Sequence, residues 1–137
     1  MGRIVVSEFV SLDGVMEDPG GSEGTPSGGW AFRFERGAEG DAYKLEELRD
    51  AEATALRARL AGNILVAGSR SLVHTLHDAG LVDEYRLMIY PTVLGSGKRL
   101  FRDGASAAGY EAVEVRPAGA VALMTLRPLA EGGAAAA

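Results

Sequence analysis

The chain has 137 residues, 47% hydrophobic and 24% charged, with 19 Gly, 5 Pro and no Cys. That is enough for one domain with a real core, and too apolar for wholesale disorder. Lack of cysteine excludes a disulfide framework, a thiolate metal site and a cysteine nucleophile. A net charge of −5 argues against general binding to nucleic acid or anionic membranes.

The opening MGRIVVSEFVSLDGV carries one base and then acids, unlike a signal peptide, and no apolar run reaches the length of a membrane span. A cytoplasmic location is expected. Arg3 to Val10 read as a strand rich in β-branched residues, covered on both faces. Asp13-Gly14 end it. Pro19 to Gly29 form a long loop of Gly, Ser and Pro, a length that points to function or disorder. Trp30, Phe32 and Phe34, spaced by two, suggest an aromatic face closing over something.

Asp41 to Leu60 read as a helix, with Leu45, Leu48, Ala51, Ala55, Leu56 and Leu60 near a 3.6 period and Gly62-Asn63 as the stop. Asn63 to Ala67 (NILVA) look like a buried parallel strand, running through Gly68-Ser69 into a second helix over Leu72 to Ala79. DEYRLMIYP reads as a central strand stopped by Pro91, because Tyr85, Leu87 and Ile89 alternate with Arg86, Met88 and Tyr90. After the Gly-punctuated loop LGSGKRLF, Tyr110 to Val115 and Ala120 to Leu126 predict a hairpin around Pro117-Ala118-Gly119. The order of elements is α/β. Residues 1–129 form one domain in this reading, and AEGGAAAA (130–137) a frayed tail.

Three places can carry chemistry. Gly68, Ser69, Arg70, Ser71 and Leu72 follow a strand and open a helix, where free backbone N–H groups and the positive dipole end favour a phosphate; the same residues also suit a plain connection with Ser69 as N-cap. Ser11, Leu12, Asp13 and Gly14 lie at the carboxyl end of the first strand, where ligands of open α/β sheets bind. There Asp13 is a candidate to orient substrate or relay a proton, or simply a turn residue. Gly95, Ser96, Lys98 and Arg99 form a basic loop that suits a phosphate or only solvent. His74 and His77, at i and i+3, offer two metal ligands and no third, and read better as an exposed helix face.

RIVVSEFVSLDGVMEDPGG with GGWAF, then ILVAGSRSLVHTL and LVDEYRLMIYPTVLGSGKRLF, resemble the dihydrofolate-reductase-like family, in its RibD C-terminal branch, over residues 3–34 and about 52–128. The resemblance implies a mixed, mostly parallel sheet flanked by helices and NADPH as cofactor. It also implies hydride transfer to a heterocyclic or ribosylamine-like small molecule, as in 5-amino-6-(5-phosphoribosylamino)uracil reduction. It places the cofactor at Gly68, Ser69, Arg70, Ser71, Leu72 and Gly95, the substrate at Ser11, Gly14 and Trp30, and a catalytic role on Asp13.

Two departures stand out. The Gly-Arg-x-Thr-Tyr-Glu turn that follows the first helix in relatives is missing, with the central elements around it. Val66 also stands where pyrimidine reductases of this kind commonly carry an acid. The shortening implies unpaired strand edges, hence a homodimer. It also leaves open an alternative, an inactive relative that binds a small ligand or only dimerises.

Overall fold

The computed structural model describes residues 3–57, 64–68 and 70–129. Five strands form one sheet in the order β2-β1-β3-β5-β4. They are β1 (Ile4–Ser11), β2 (Ile64–Ala67), β3 (Glu84–Tyr90), β4 (Tyr110–Ala118) and β5 (Val121–Pro128), joined by helices α1 (Gly37–Arg57) and α2 (Arg70–Asp78). β1 pairs in parallel with β2 and β3, while β5 pairs antiparallel with β3 and β4. The sheet is mixed, as expected, with two ladders of each kind.

Alternation along β1 and β3 splits the interior in two. Val6, Val10, Tyr85 and Leu87 face α2 and pack with Val66, Val73, Val82 and Leu100. Met88 and Tyr90 face the other way, against Trp30, Val121 and Leu123. Both β1 and β3 have a strand on each side within this one chain, so the two-faced apolar pattern of Arg86 to Tyr90 is satisfied without a second copy. The edges are β2 and β4.

Several expectations need correction. The NILVA strand lies at an edge: Ile64 is 55% exposed and only Val66 is buried. A continuous apolar run does not by itself say how many neighbours a strand will have. The helix expected from Asp41 begins earlier, at Gly37, and at its described start it meets the sheet with polar groups. Leu45 is exposed, while Lys44 and Glu47 bond the Ser7 hydroxyl of β1. The stripe from Leu48 to Leu60, the stop at Gly62-Asn63, Ser69 and the tail 130–137 lie outside the described residues or side chains. Trp30, Phe32 and Phe34 do not form an extended face, because Trp30–Arg33 is one turn of 3-10 helix. That geometry turns Trp30 fully inward and leaves Phe32 82% exposed.

The two histidines, expected on an exposed face, are buried. The Nε2 of His74 meets the Arg99 carbonyl at 3.2 Å, and His77 sits between the Ser106 carbonyl (2.8 Å) and the hydroxyls of Tyr85 (2.8 Å) and Tyr110 (3.2 Å). A carbonyl can only accept, so Nε2 of His77 donates to Ser106. Amphipathic helical spacing is indifferent to whether the polar member of the stripe is buried; here the loop over 99–106 covers it. Among the described residues no cluster of His, Asp and Glu could hold a metal.

On the α1 face, Glu84 is 2% exposed and takes ion pairs from Arg3, Arg86 and Arg127. Burial alone would raise its pKa; the Arg86 and Arg127 hydrogen bonds and the nearby positive charge outweigh that and hold it below the usual carboxylate range.

The β4–β5 turn is fixed to the start of α1. Ala120 N–H donates to the Glu35 carbonyl at 2.8 Å. Gly119 has φ +59°, and a Cβ there would lie 2.5 Å from the Glu35 oxygen and 2.8 Å from the Gly37 nitrogen. These are backbone atoms and cannot swing aside. Gly119→Ala is therefore expected to destabilise the fold by about 1–3 kcal/mol. A urea midpoint equal to that of the parent chain would show that the turn yields.

Candidate functional site at the amino end of the second helix

Two clefts lie at the carboxyl end of β1, one on each face of the sheet. Glu8 is the residue that sequence reasoning passed over. It lies mid-strand in β1 on the α2 face, 5% exposed among apolar neighbours, and its Oε1 accepts the Gly68 N–H at 2.8 Å. Burial pushes its pKa up to about 8, against weaker opposing effects from the Gly68 N–H and the charge of Lys44. The signal was present as a lone carboxyl in a β-branched run, but its partner is 60 residues away in sequence.

Gly68, Arg70 and Ser71, at the turn from β2 into α2, line a cleft of about 380 Å³ together with Glu8, Glu17 and Lys98. Gly68 has φ +90° and opens on free space, since a Cβ there would meet nothing within 4 Å. The expected strand–glycine–helix turn is therefore present, and two cations from separate segments share its cleft. Leu72 is on the outer side of α2, 45% exposed. Against expectation, the Gly68 N–H is held by a carboxyl group rather than left free.

Asp13 does not share that lining. It accepts from the Ser11 hydroxyl (2.6 Å), the Gly95 N–H (2.8 Å) and the Leu94 N–H (3.2 Å). The Ser11 and Gly95 bonds lead in lowering its pKa to about 2. Asp13 is thus an acceptor-only carboxylate at neutral pH, tying the end of β1 to the basic loop. Ser11 is buried, its hydroxyl shared between Asp13 and the Val15 N–H. Gly14 completes the turn with φ +80°. Gly95 is exposed and serves Asp13.

The long loop after Pro19 is organised by Asp18, whose carboxylate accepts from the backbone of Glu23 and Thr25 and from the Thr25 hydroxyl. Trp30 closes the loop: its Nε1 donates to the Glu17 carbonyl at 2.9 Å and its ring stands edge-on to Tyr90 at 5.3 Å. Fully buried, it holds the loop from beneath.

A second cleft, of about 630 Å³, opens on the opposite face, lined by Phe9, Phe34 and Tyr90 with Arg36 and Asp41 at its rim. Pro19 lines the first cleft and Gly20 the second, so the two approach one another at the end of β1.

Residues 44–125 match the RibD C-terminal domain family. The chain belongs to that family. A stretch of 52 residues of this chain is 46% identical to an uncharacterized Bacillus subtilis (strain 168) protein, YyaP. That stretch spans 38% of this chain and 28% of YyaP. The fold is similar to that of a diaminohydroxyphosphoribosylaminopyrimidine deaminase/5-amino-6-(5-phosphoribosylamino)uracil reductase from Thermotoga maritima. The TM-score is 0.60 at 12% identity, over 93% of this chain and 57% of that one. It is also similar to the riboflavin biosynthesis reductase Rib7 of Saccharomyces cerevisiae, with a TM-score of 0.55 at 10% identity, over 94% and 89%. No helix among the described residues is long and apolar enough to cross a membrane.

Proposed function

We propose that this RibD C-terminal domain is a reductase that binds NADPH at the start of α2 and reduces a heterocyclic or ribosylamine-like small molecule. The observation that carries the reading is the meeting of Arg70, Ser71 and Lys98 with an open glycine turn at a helix amino end. That donor set fits the phosphates of a dinucleotide. When bound, the reduced nicotinamide supplies the hydride, and no side-chain nucleophile is required.

The chain's own groups bind, orient and exclude water. Arg70 and Lys98 hold negative charge. Asp13 acts as a positioning residue, fixing the basic loop through Leu94 and Gly95. Trp30 keeps Glu17, and with it one wall of the cleft, in place. The aromatic cleft on the other face is where a planar substrate ring would lie, reached around Pro19 and Gly20. A cleft lined by two cations favours a ligand-binding protein over a relative that only dimerises; a homodimer would form at the β2 or β4 edge.

NADPH fluorescence on titration tests the reading. Saturable binding is expected, and Arg70→Ala should weaken it about ten- to a hundredfold, the equivalent of one charge-assisted contact of about 1.5–3 kcal/mol. A smaller loss for NADH would put Arg70 on the 2′-phosphate, and an equal loss on the pyrophosphate. Unchanged affinity for both would remove Arg70 from the site.

A further inference from the structure

Glu8 carries a carboxyl between Val6 and Val10 on the apolar α2 face of β1, and Arg70 and Lys98 line the same cleft. The carboxyl lies at the cleft floor, with one oxygen taking the Gly68 N–H at 2.8 Å. No buried side-chain oxygen among the described residues lacks a partner, so the second oxygen of Glu8 opens on the cleft it lines. In a carboxylic acid the oxygen that accepts is the carbonyl oxygen, and the other carries the hydrogen. When the carboxyl carries its proton, this geometry aims the O–H into the cleft.

We propose that Glu8 works as a neutral acid that donates a hydrogen bond to a carbonyl oxygen of the bound ligand. The cleft then accepts an anionic, carbonyl-bearing ligand only while Glu8 keeps its proton. This rests on the dinucleotide reading above and adds to it the group that meets the amide carbonyl of the nicotinamide. Loss of the proton does two things at once. It replaces a donor by an acceptor facing an acceptor, and it adds a negative charge beside a ligand that is itself negative.

The charged groups around Glu8 bear on the direction. Lys44 of α1, Arg70 of α2 and Lys98 of the basic loop favour the ionised form. Glu17, Asp18 and Glu23 of the long loop, which line the same cleft, favour the neutral one. Burial is the largest influence and sides with the neutral acid, with a pKa of about 8.

The test is NADPH titration at pH 7 and pH 9.5, with Glu8→Gln as the control for every other group that titrates in that range. Affinity of the parent protein is expected to fall about tenfold or more between the two. Glu8→Gln keeps a donor and cannot titrate, so its affinity should change less than threefold over the same range. Calorimetry in two buffers of different ionisation enthalpy should find proton uptake on NADPH binding at pH 8.5 in the parent and none in Glu8→Gln. Equal affinity at both pH values, or the same fall in Glu8→Gln, overturns the role of Glu8 and leaves the cofactor standing. No NADPH binding at either pH overturns the dinucleotide reading and this proposal with it. A Glu8→Gln protein that fails to fold shifts the comparison to Glu8→Ala, which should bind weakly and without pH dependence.

Discussion

Replacing Trp30 with alanine should cost about 3–5 kcal/mol of stability, the range for removing a fully buried large aromatic. That is a large share of the roughly 5–15 kcal/mol that holds a typical domain folded. The ring is enclosed by Ala31, Met88, Tyr90, Val121 and Leu123, with an edge-to-face contact to Tyr90. Its indole N–H also satisfies the Glu17 carbonyl, which truncation would leave without that donor. Because Glu17 lines the α2 cleft, the loss should also weaken the proposed NADPH binding, well below the unfolding midpoint. Trp30→Phe keeps most of the packing and loses the hydrogen bond, so it should lose much less. Urea denaturation followed by circular dichroism measures both. A loss below 1 kcal/mol for Trp30→Ala would mean that the loop is not anchored by this ring.

The second large effect is on the pH dependence of stability. Unfolded, Glu8 releases its proton near its ordinary pKa of 4.5; folded, it holds it to about 8. Between those values the folded chain binds more protons than the unfolded one, so stability falls as pH rises. The contribution is fully present below 4.5 and is lost as pH passes 8. A shift of this size corresponds to several kcal/mol on the order-of-magnitude scale of about 1.4 kcal/mol per unit. Glu84 acts in the opposite sense. Its lowered pKa stabilises the fold above the usual carboxylate range, and that is lost as pH falls. The parent chain should thus weaken on the alkaline side through Glu8, and Glu8→Gln should flatten that limb while leaving the acid limb intact. Urea midpoints at pH 6, 7.5 and 9 for both proteins decide it: an equal alkaline decline would acquit Glu8.

The elements easiest to read in the sequence were those whose pattern depends on their own residues. The β-branched run of β1, the two-faced alternation of β3 and the strand–glycine–helix turn at Gly68 all appear where periodicity and φ > 0 demand them. What escaped depends on who the neighbours are. NILVA has the composition of a central strand, but among the described residues β2 has one partner only. His74 and His77 have the spacing of an outer face, but the loop over 99–106 folds across them. Trp30, Phe32 and Phe34 have strand spacing, but a 3-10 turn sends the first inward and the second outward. At the site, the sequence put Gly68, Arg70 and Ser71 on one strand-to-helix turn and Lys98 in a separate basic loop, and the fold brings all four to one cleft. Asp13 was legible as the end of the first strand, and its hydrogen bonds make it a clamp on the basic loop. Glu8 was hidden because a carboxyl inside a strand acquires meaning only from what sits opposite it.

Glu8 and Phe9 are consecutive, yet one forms the floor of the α2 cleft and the other the floor of the aromatic cleft across the sheet. A strand has a side-chain period of two, so a single inserted or deleted residue ahead of Glu8 would turn the carboxyl toward the aromatic cleft and the ring toward Gly68. Both clefts would fail together, although no residue of either had changed identity. The loops at the ends of β1 can gain or lose residues and leave this parity intact, whereas β1 between Ile4 and Phe9 must keep its count. Length variation among relatives with this pair of clefts should therefore stop at the strand's borders, while point substitutions can remodel either cleft without disturbing the other.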